Sequence, residues 1–186
     1  MTEGSIHDRY ISAFNHPFNL AVHQVIPAIA VGCPVIIRPA TQTPMSAIKL
    51  VEILKEAGLP DGWAQAVVCD RNAGELLVTS PKTAFFTFIG SGPVGWYLNS
   101  KSSPGTRSAL EHGGVAPVIV EPDADIEAMI PDLVKGGFYH AGQVCVSVQR
   151  IFVHESIANT VASKIAEKAS KLVVGNQLDP KTEVGP

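Results

Sequence analysis

The sequence predicts an α/β fold built on a largely parallel sheet. Short β-branched runs alternate with longer helical patterns, the alternation continues along almost all of the 186 residues, and no internal repeat or low-complexity segment breaks it. Hydrophobic content of 46% with 17% charged residues adds that the chain can bury a core.

The elements follow in order. LAVHQVIPAIAVG (residues 20–32) is helical in pattern, with Pro27 predicting a kink or a break. PVIIRPA (34–40) is a β-branched run closed by proline and reads as a buried strand. TPMSAIKLVEILKEAGLP (43–60) predicts a helix with Thr43 as cap and Pro44 in the first turn. Its apolar stripe is Ile48, Val51 and Leu54, and Gly58 and Pro60 stop it. AQAVVC (64–69) reads as a strand, NAGELLVTS (72–80) as a short helix and TAFFTFI (83–89) as a strand. GPVGWYLNSK (92–101) starts a helix, and TRSAL (106–110) and APVIVEP (116–122) are strand-like. DIEAMIPDLVKGGFYHAG (125–142) predicts a helix despite Pro131. RIFVHE (150–155) is a strand and SIANTVASKIAEKASKLV (156–173) an amphipathic helix. The paired glycines and proline of EHGGVAP (111–117) mark the joint between two domains, 1–112 and 113–186.

Charge and cysteine usage exclude several classes. A net charge of −3 offers no basic surface for nucleic acid and no polybasic run for a membrane. MTEGSIHDRY carries acidic residues and no apolar centre, so it does not read as a signal peptide. Prolines break the longest apolar stretch well short of spanning length. Cys33, Cys69 and Cys145 are widely spaced, with no CxxC and no metal-like grouping with histidine. Free thiols and a cytoplasmic location are expected, with no metal.

Two stretches carry chemistry. GSGPVG places Gly90, Gly92 and Gly95 in a G-x-G-x-x-G pattern after a strand and at the start of a helix. Such a helix start favours phosphate, and Ser91 is placed to cap it and to bond a phosphate oxygen. Three close glycines also make an ordinary tight turn. Glu111 lies 21 residues after Gly90, where a dinucleotide fingerprint would put it on the ribose. GQVCVSVQR (142–150) sets Cys145 among small and β-branched residues, either as a nucleophile or as a buried thiol.

Five segments in order resemble the aldehyde dehydrogenase superfamily. AFNHPF is similar to its Pro-Trp-Asn-Phe-Pro segment, with Asn15 at the asparagine. VIIRPATQTP resembles VVLKPSEQTP, FIGSGPVG resembles the FTGSTxxG loop, LEHGG resembles ELGG, and HAGQVC resembles N-x-GQ-x-C. Glu111 and Cys145 are 34 residues apart, as are the family's glutamate and nucleophile. PFNLAVHQV is similar to the lactaldehyde-like and semialdehyde-like branches. The likeness runs from about residue 12 to the end, and members are longer on both sides, so the chain reads as a core fragment. The turn-like LDPKTEVGP gives it a truncated look.

The resemblance implies a Rossmann-like parallel sheet over 1–112, binding a dinucleotide, followed by the first part of an α/β catalytic domain over 113–186. It implies oxidation of a small-molecule aldehyde to a carboxylic acid. Cys145 would form a thiohemiacetal and then a thioester, Asn15 would hold the oxyanion, and Glu111 would act as base rather than ribose ligand. Gly90, Ser91 and Gly95 would lie against the cofactor, with Arg38 and Thr41 near its adenosine ribose. Arg38 replaces the family's lysine and Thr41 its acidic residue, and both departures point toward NADP over NAD. Val144 and Val146 suit an uncharged or modestly polar aldehyde, while His140 reads as a satisfied helix histidine. The alternatives are a catalytically incomplete nucleotide-binding fragment and a CoA-acylating variant; the retained Glu111 counts against the latter. Exposed sheet edges predict a homo-oligomer.

Overall fold

Five parallel strands make the first sheet: β1 (His7–Ile11), β2 (Val35–Arg38), β3 (Ala64–Ala66), β4 (Thr83–Ile89) and β5 (Arg107–Glu111). Their order is β3-β2-β1-β4-β5. The chain therefore winds outward one way from β1 and returns to wind the other way from β4, as in a Rossmann-like sheet. The computed structural model describes residues 7–186, so most of the segment read against a signal peptide lies outside the described residues. The chain divides into two compact units, Met1–His112 and Gly113–Pro186.

Helices α1 (Pro17–Ala30), α2 (Met45–Glu56), α3 (Arg71–Thr79) and α4 (Gly92–Lys101) complete the first unit. Successive side chains of a strand point to opposite faces, and β1 shows this directly. Tyr10 joins Ala21, Val25 and Ala28 of α1 and Ala47 and Leu50 of α2 in one core. Ile11 joins Val78 of α3, Phe86 and Phe88 of β4 and Leu98 of α4 in the other.

Several expectations are corrected here. Strand β1 was not anticipated, although it is the central strand. Pro27 does not break α1, which runs through it to Ala30. The proline forfeits one hydrogen bond to the His23 carbonyl, while burial of Val25 and Ala28 on either side holds the helix to the sheet. Thr43 does not cap α2: Pro44 occupies the cap position, and the Thr43 hydroxyl donates to the Phe14 carbonyl at 3.4 Å. The strand expected over 64–69 stops at Ala66, because its partner β2 ends at Arg38 before Pro39, which has no N–H to continue the ladder.

In the second unit, β6 (Val118–Val120) pairs in parallel with β7 (Ile151–Val153). Helices α5 (Ile126–Phe138) and α6 (Ala158–Ala169) pack through Ile130, Val134 and Val161. Asp125 caps α5 by accepting from the Ala128 N–H at 3.1 Å. Glu127 and Lys164 join the two helices by an ion pair. Helix α5 ends earlier than expected, because residues 139–142 form a left-handed turn: φ is 56° at His140, 54° at Ala141 and 73° at Gly142. His140 is thus an exposed residue of this turn, its ring 5.7 Å from that of Tyr139, and does not lie in the helix that was expected to hold it. Helix α6 is shorter than its amphipathic pattern at both ends. Among the described residues, no helix is long and apolar enough to cross a membrane, and no group of three metal-ligating side chains stands together.

Candidate functional site

In a parallel sheet every strand ends on the same edge, and ligands of such folds bind there, where the winding reverses. The reversal here lies between β1 and β4. Asn15 follows the end of β1, Arg38 ends β2 with Thr41 three residues on, Gly90 and Ser91 follow β4, and Glu111 ends β5. These six candidates of the first unit therefore share the C-terminal edge of one sheet, and Gly95 lies in the first turn of α4, the helix that starts there.

The glycine loop is shaped by close approach. A Cβ on Gly90 would lie 2.6 Å from Cζ of Phe88, and one on Gly95 would strike the His112 ring. Ser91 stands at the cap position of α4 without a side-chain capping bond, which leaves its hydroxyl for another partner. The first N–H groups of such a helix have no partner within it. Gly90 donates its N–H to the Glu111 carbonyl at 3.0 Å, which ties the loop to the end of β5.

Arg38 is held locally. Its Nη2 donates to the Cys69 carbonyl at 3.0 Å, and its Nε is buried without a partner. The stem packs on α3 where Gly74 has no side chain; a Cβ there would be 2.8 Å from Arg38 Cδ. Thr41 is exposed in the turn after β2.

Glu111 pairs with His23 of α1 at 3.0 Å, Nε2 to Oε1, with the two side chains 50% and 60% exposed. Next to it, the His112 ring lies edge-on to Trp96 at 5.5 Å and to Phe88 at 6.3 Å, and its Nε2 is buried without a partner. Sequence reasoning missed both histidines. His112 had a local signal, since it stands where the ELGG pattern has leucine. His23 had none, being 88 residues from Glu111.

Cys145 belongs to the second unit. It is exposed, unlike the half-buried Cys33 and Cys69, and none of the three is in a disulfide. The left-handed turn precedes it, and a Cβ on Gly114 would be 3.0 Å from its carbonyl oxygen. After it, buried Ser147 donates toward the Gly136 carbonyl at 3.3 Å, and Gln149 donates through its side chain to the Gly114 carbonyl at 3.1 Å. The cysteine thus sits on a segment fixed from both sides. Its neighbours Val144 and Val146 line an open apolar hollow of about 210 Å³ with Lys135, Gly136, Tyr139 and Ser147.

A profile of the aldehyde dehydrogenase family matches residues 9–186. The 3-sulfolactaldehyde dehydrogenase of Priestia aryabhattai is 44% identical over 95% of this chain, which spans 37% of that protein's length. Among solved structures, the glyceraldehyde-3-phosphate dehydrogenase GapN of Methanocaldococcus jannaschii, complexed with NADP, superposes with a TM-score of 0.90 at 39% identity. It is matched over 96% of this chain and 40% of its own. A Mycobacterium tuberculosis aldehyde dehydrogenase complexed with NAD+ gives a TM-score of 0.93 at 33% identity, over 98% of this chain and 38% of its own. The chain belongs to the aldehyde dehydrogenase family.

Proposed function

We propose that this chain is the cofactor-binding and nucleophile-bearing part of an NAD(P)-dependent enzyme that oxidises a small aldehyde to its acid. The observation that carries the reading is the gathering of Asn15, Gly90, Ser91 and Glu111 on the adjacent ends of β1, β4 and β5. The residues present fit a dinucleotide. Gly90 and Gly95 admit no side chain, Ser91 keeps an uncapped hydroxyl, and the start of α4 offers free backbone donors to a pyrophosphate. In this reading residues 1–112 bind the dinucleotide and residues 113–186 begin the catalytic domain.

The Cys145 thiolate attacks the aldehyde carbon, forming a C–S bond while the carbonyl electrons move to oxygen. The side-chain amide of Asn15 and the Cys145 N–H donate to that oxyanion; one such donor is typically worth roughly 3–4 kcal/mol. A bound nicotinamide supplies the acceptor for the hydride that leaves the same carbon. Glu111 then takes a proton from water, the water oxygen attacks the thioester carbon, and the C–S bond breaks to release the acid and the thiolate.

NADP is favoured over NAD by Arg38 and Thr41, although the Arg38 fork must leave or share the Cys69 carbonyl to reach a phosphate. Val144 and Val146 favour an uncharged or modestly polar aldehyde. The reading carries a homo-oligomer, supported by the exposed edge strand β5, and a cytoplasmic location, supported by three free cysteines.

Site-resolved alkylation of the three cysteines, with and without NADP and NAD and read by peptide mass, tests this function. Exposure alone makes Cys145 the fastest, so the deciding result is a change at Cys145 on adding cofactor. Equal behaviour with and without cofactor would leave a chain whose cofactor edge and nucleophile do not communicate. Acid release that depended on added CoA would instead favour the acylating variant.

A further inference from the structure

We propose that His23 is a positioning residue for Glu111, holding one carboxylate oxygen so that the other faces the hydrolytic water. The inference rests on the reading of Glu111 as base and deepens it.

The backbone of Glu111 is well fixed, paired with Ile89 in the ladder and accepting from the Gly90 N–H at 3.0 Å. Its side chain is not. β5 is an edge strand, the glutamate is 50% exposed, and three rotatable bonds separate its carboxylate from that fixed backbone. Among the described residues, its one side-chain hydrogen bond is to His23 Nε2 at 3.0 Å. An ionised carboxylate accepts only, so Nε2 carries the proton and donates to Oε1. Oε2 keeps its lone pairs free to take a proton from water. His23 itself stands on a rigid support. Its helix is buried at Ala21, Gln24, Val25 and Ala28, and the Gln24 side chain donates to the Ile11 carbonyl at 3.4 Å. Two rigid elements thus deliver one donor and one carboxylate to the same point, as a pre-organised site requires.

The test separates acyl formation from acyl loss and needs no cofactor. p-Nitrophenyl acetate acylates a thiolate, forming acetyl-Cys145 and releasing p-nitrophenolate; intact and peptide mass then follow the decay of acetyl-Cys145 as water cleaves it to acetate and the thiolate. Each lifetime is counted from acyl already formed. His23→Phe is expected to lengthen it about tenfold, less than loss of a general base costs. His23→Gln, which keeps an N–H donor at similar reach, is expected to restore most of the rate. Circular dichroism checks that both variants fold, which the exposure of His23 favours. Ring ¹⁵N spectra should show Nε2–H at His23, with an Nε2 shift displaced by its hydrogen bond, and Glu111→Ala should remove that displacement. Equal lifetimes in His23→Phe and the parent, with a longer one in Glu111→Gln, would overturn the positioning role and leave Glu111 as base. An unchanged lifetime in Glu111→Gln, or no acyl at Cys145, would overturn the function it rests on, and this role with it.

Discussion

The His112 imidazole occupies the space that a side chain at residue 95 would need. A Cβ on Gly95 would strike His112 Nε2 and lie 3.0 Å from Phe88 Cδ1. Gly95 lies inside α4, where alanine would ordinarily stabilise by about 1 kcal/mol. Overpacking opposes that by about 1–3 kcal/mol, so Gly95→Ala is expected to lower the melting temperature. Removing the ring should change the sign of the argument. In a His112→Ala background the same substitution is expected to cost less or nothing, and thermal melts of the four proteins give the coupling.

Arg9 is the least comfortable residue of the central strand. It is 7% exposed, and its Nε and Nη1 are buried without partners. Burial pushes its guanidinium below the usual arginine range, and neighbouring Asp8 only partly offsets this. An unsatisfied buried donor costs about 1–3 kcal/mol, so Arg9→Met, which keeps the length and removes the donors, is expected to raise stability in urea. A fall in the unfolding midpoint would mean that the guanidinium is paired in solution.

The same residue explains why β1 was illegible in sequence. HDRYI shows neither the alternation of a half-buried strand nor the continuous apolar run of a buried one, since Asp8 and Arg9 interrupt both. Only its neighbours β2 and β4, on either side, make it a strand. VIIR and TAFFTFI were legible because each is dominated by the β-branched and aromatic residues that suit a strand. The candidate residues were legible as types at known spacings. Their partners were not, because the His23–Glu111 pair exists only once α1 lies near the end of β5. The turn before Cys145 was hidden too: nothing in YHAG demands three left-handed residues, and the helical pattern of 125–138 runs straight into it.

Helix caps offer a direct contrast. Asp70 accepts from the Ala73 N–H at 2.8 Å at the start of α3, whereas Thr43 makes no capping bond to α2. Asp70→Ala is expected to cost about 1 kcal/mol. Thr43→Ala should cost under about 0.5 kcal/mol, the usual range away from such features, as measured by chemical denaturation.

Tyr10 sets part of the alkaline limit. Burial, the nearby Asp8 carboxylate and the hydrogen bond to it at 3.3 Å raise its hydroxyl well above the usual tyrosine range, with a further contribution from Cys33. The folded state therefore keeps Tyr10 protonated while the unfolded chain ionises near pH 10, roughly the free tyrosine value. Its stabilising contribution is complete below that pH and is lost as pH rises toward the folded value. Stability should fall above about pH 10. In Tyr10→Phe the fall should be shallower, whatever the neutral-pH cost of losing the hydroxyl. Parallel slopes would show that Tyr10 ionises freely in the folded protein.

The turn before Cys145 stores strain that a glycine would release. Ala141 sits at φ 54°, a region that costs a residue with a Cβ roughly 1–2 kcal/mol. Gly142 beside it bears no such cost at φ 73°. Ala141→Gly relieves the strain but also frees the unfolded chain, a penalty of about 0.5–1 kcal/mol. The balance is a gain of up to about 1.5 kcal/mol, seen as a higher melting temperature. The same glycine loosens the segment that holds Cys145 from its N-terminal side, while Ser147 still holds the other. Alkylation of Cys145 should then lose part of its response to cofactor although the protein is more stable. A gain in stability with an unchanged cofactor response would assign the strain to folding alone, with no part in presenting the thiol.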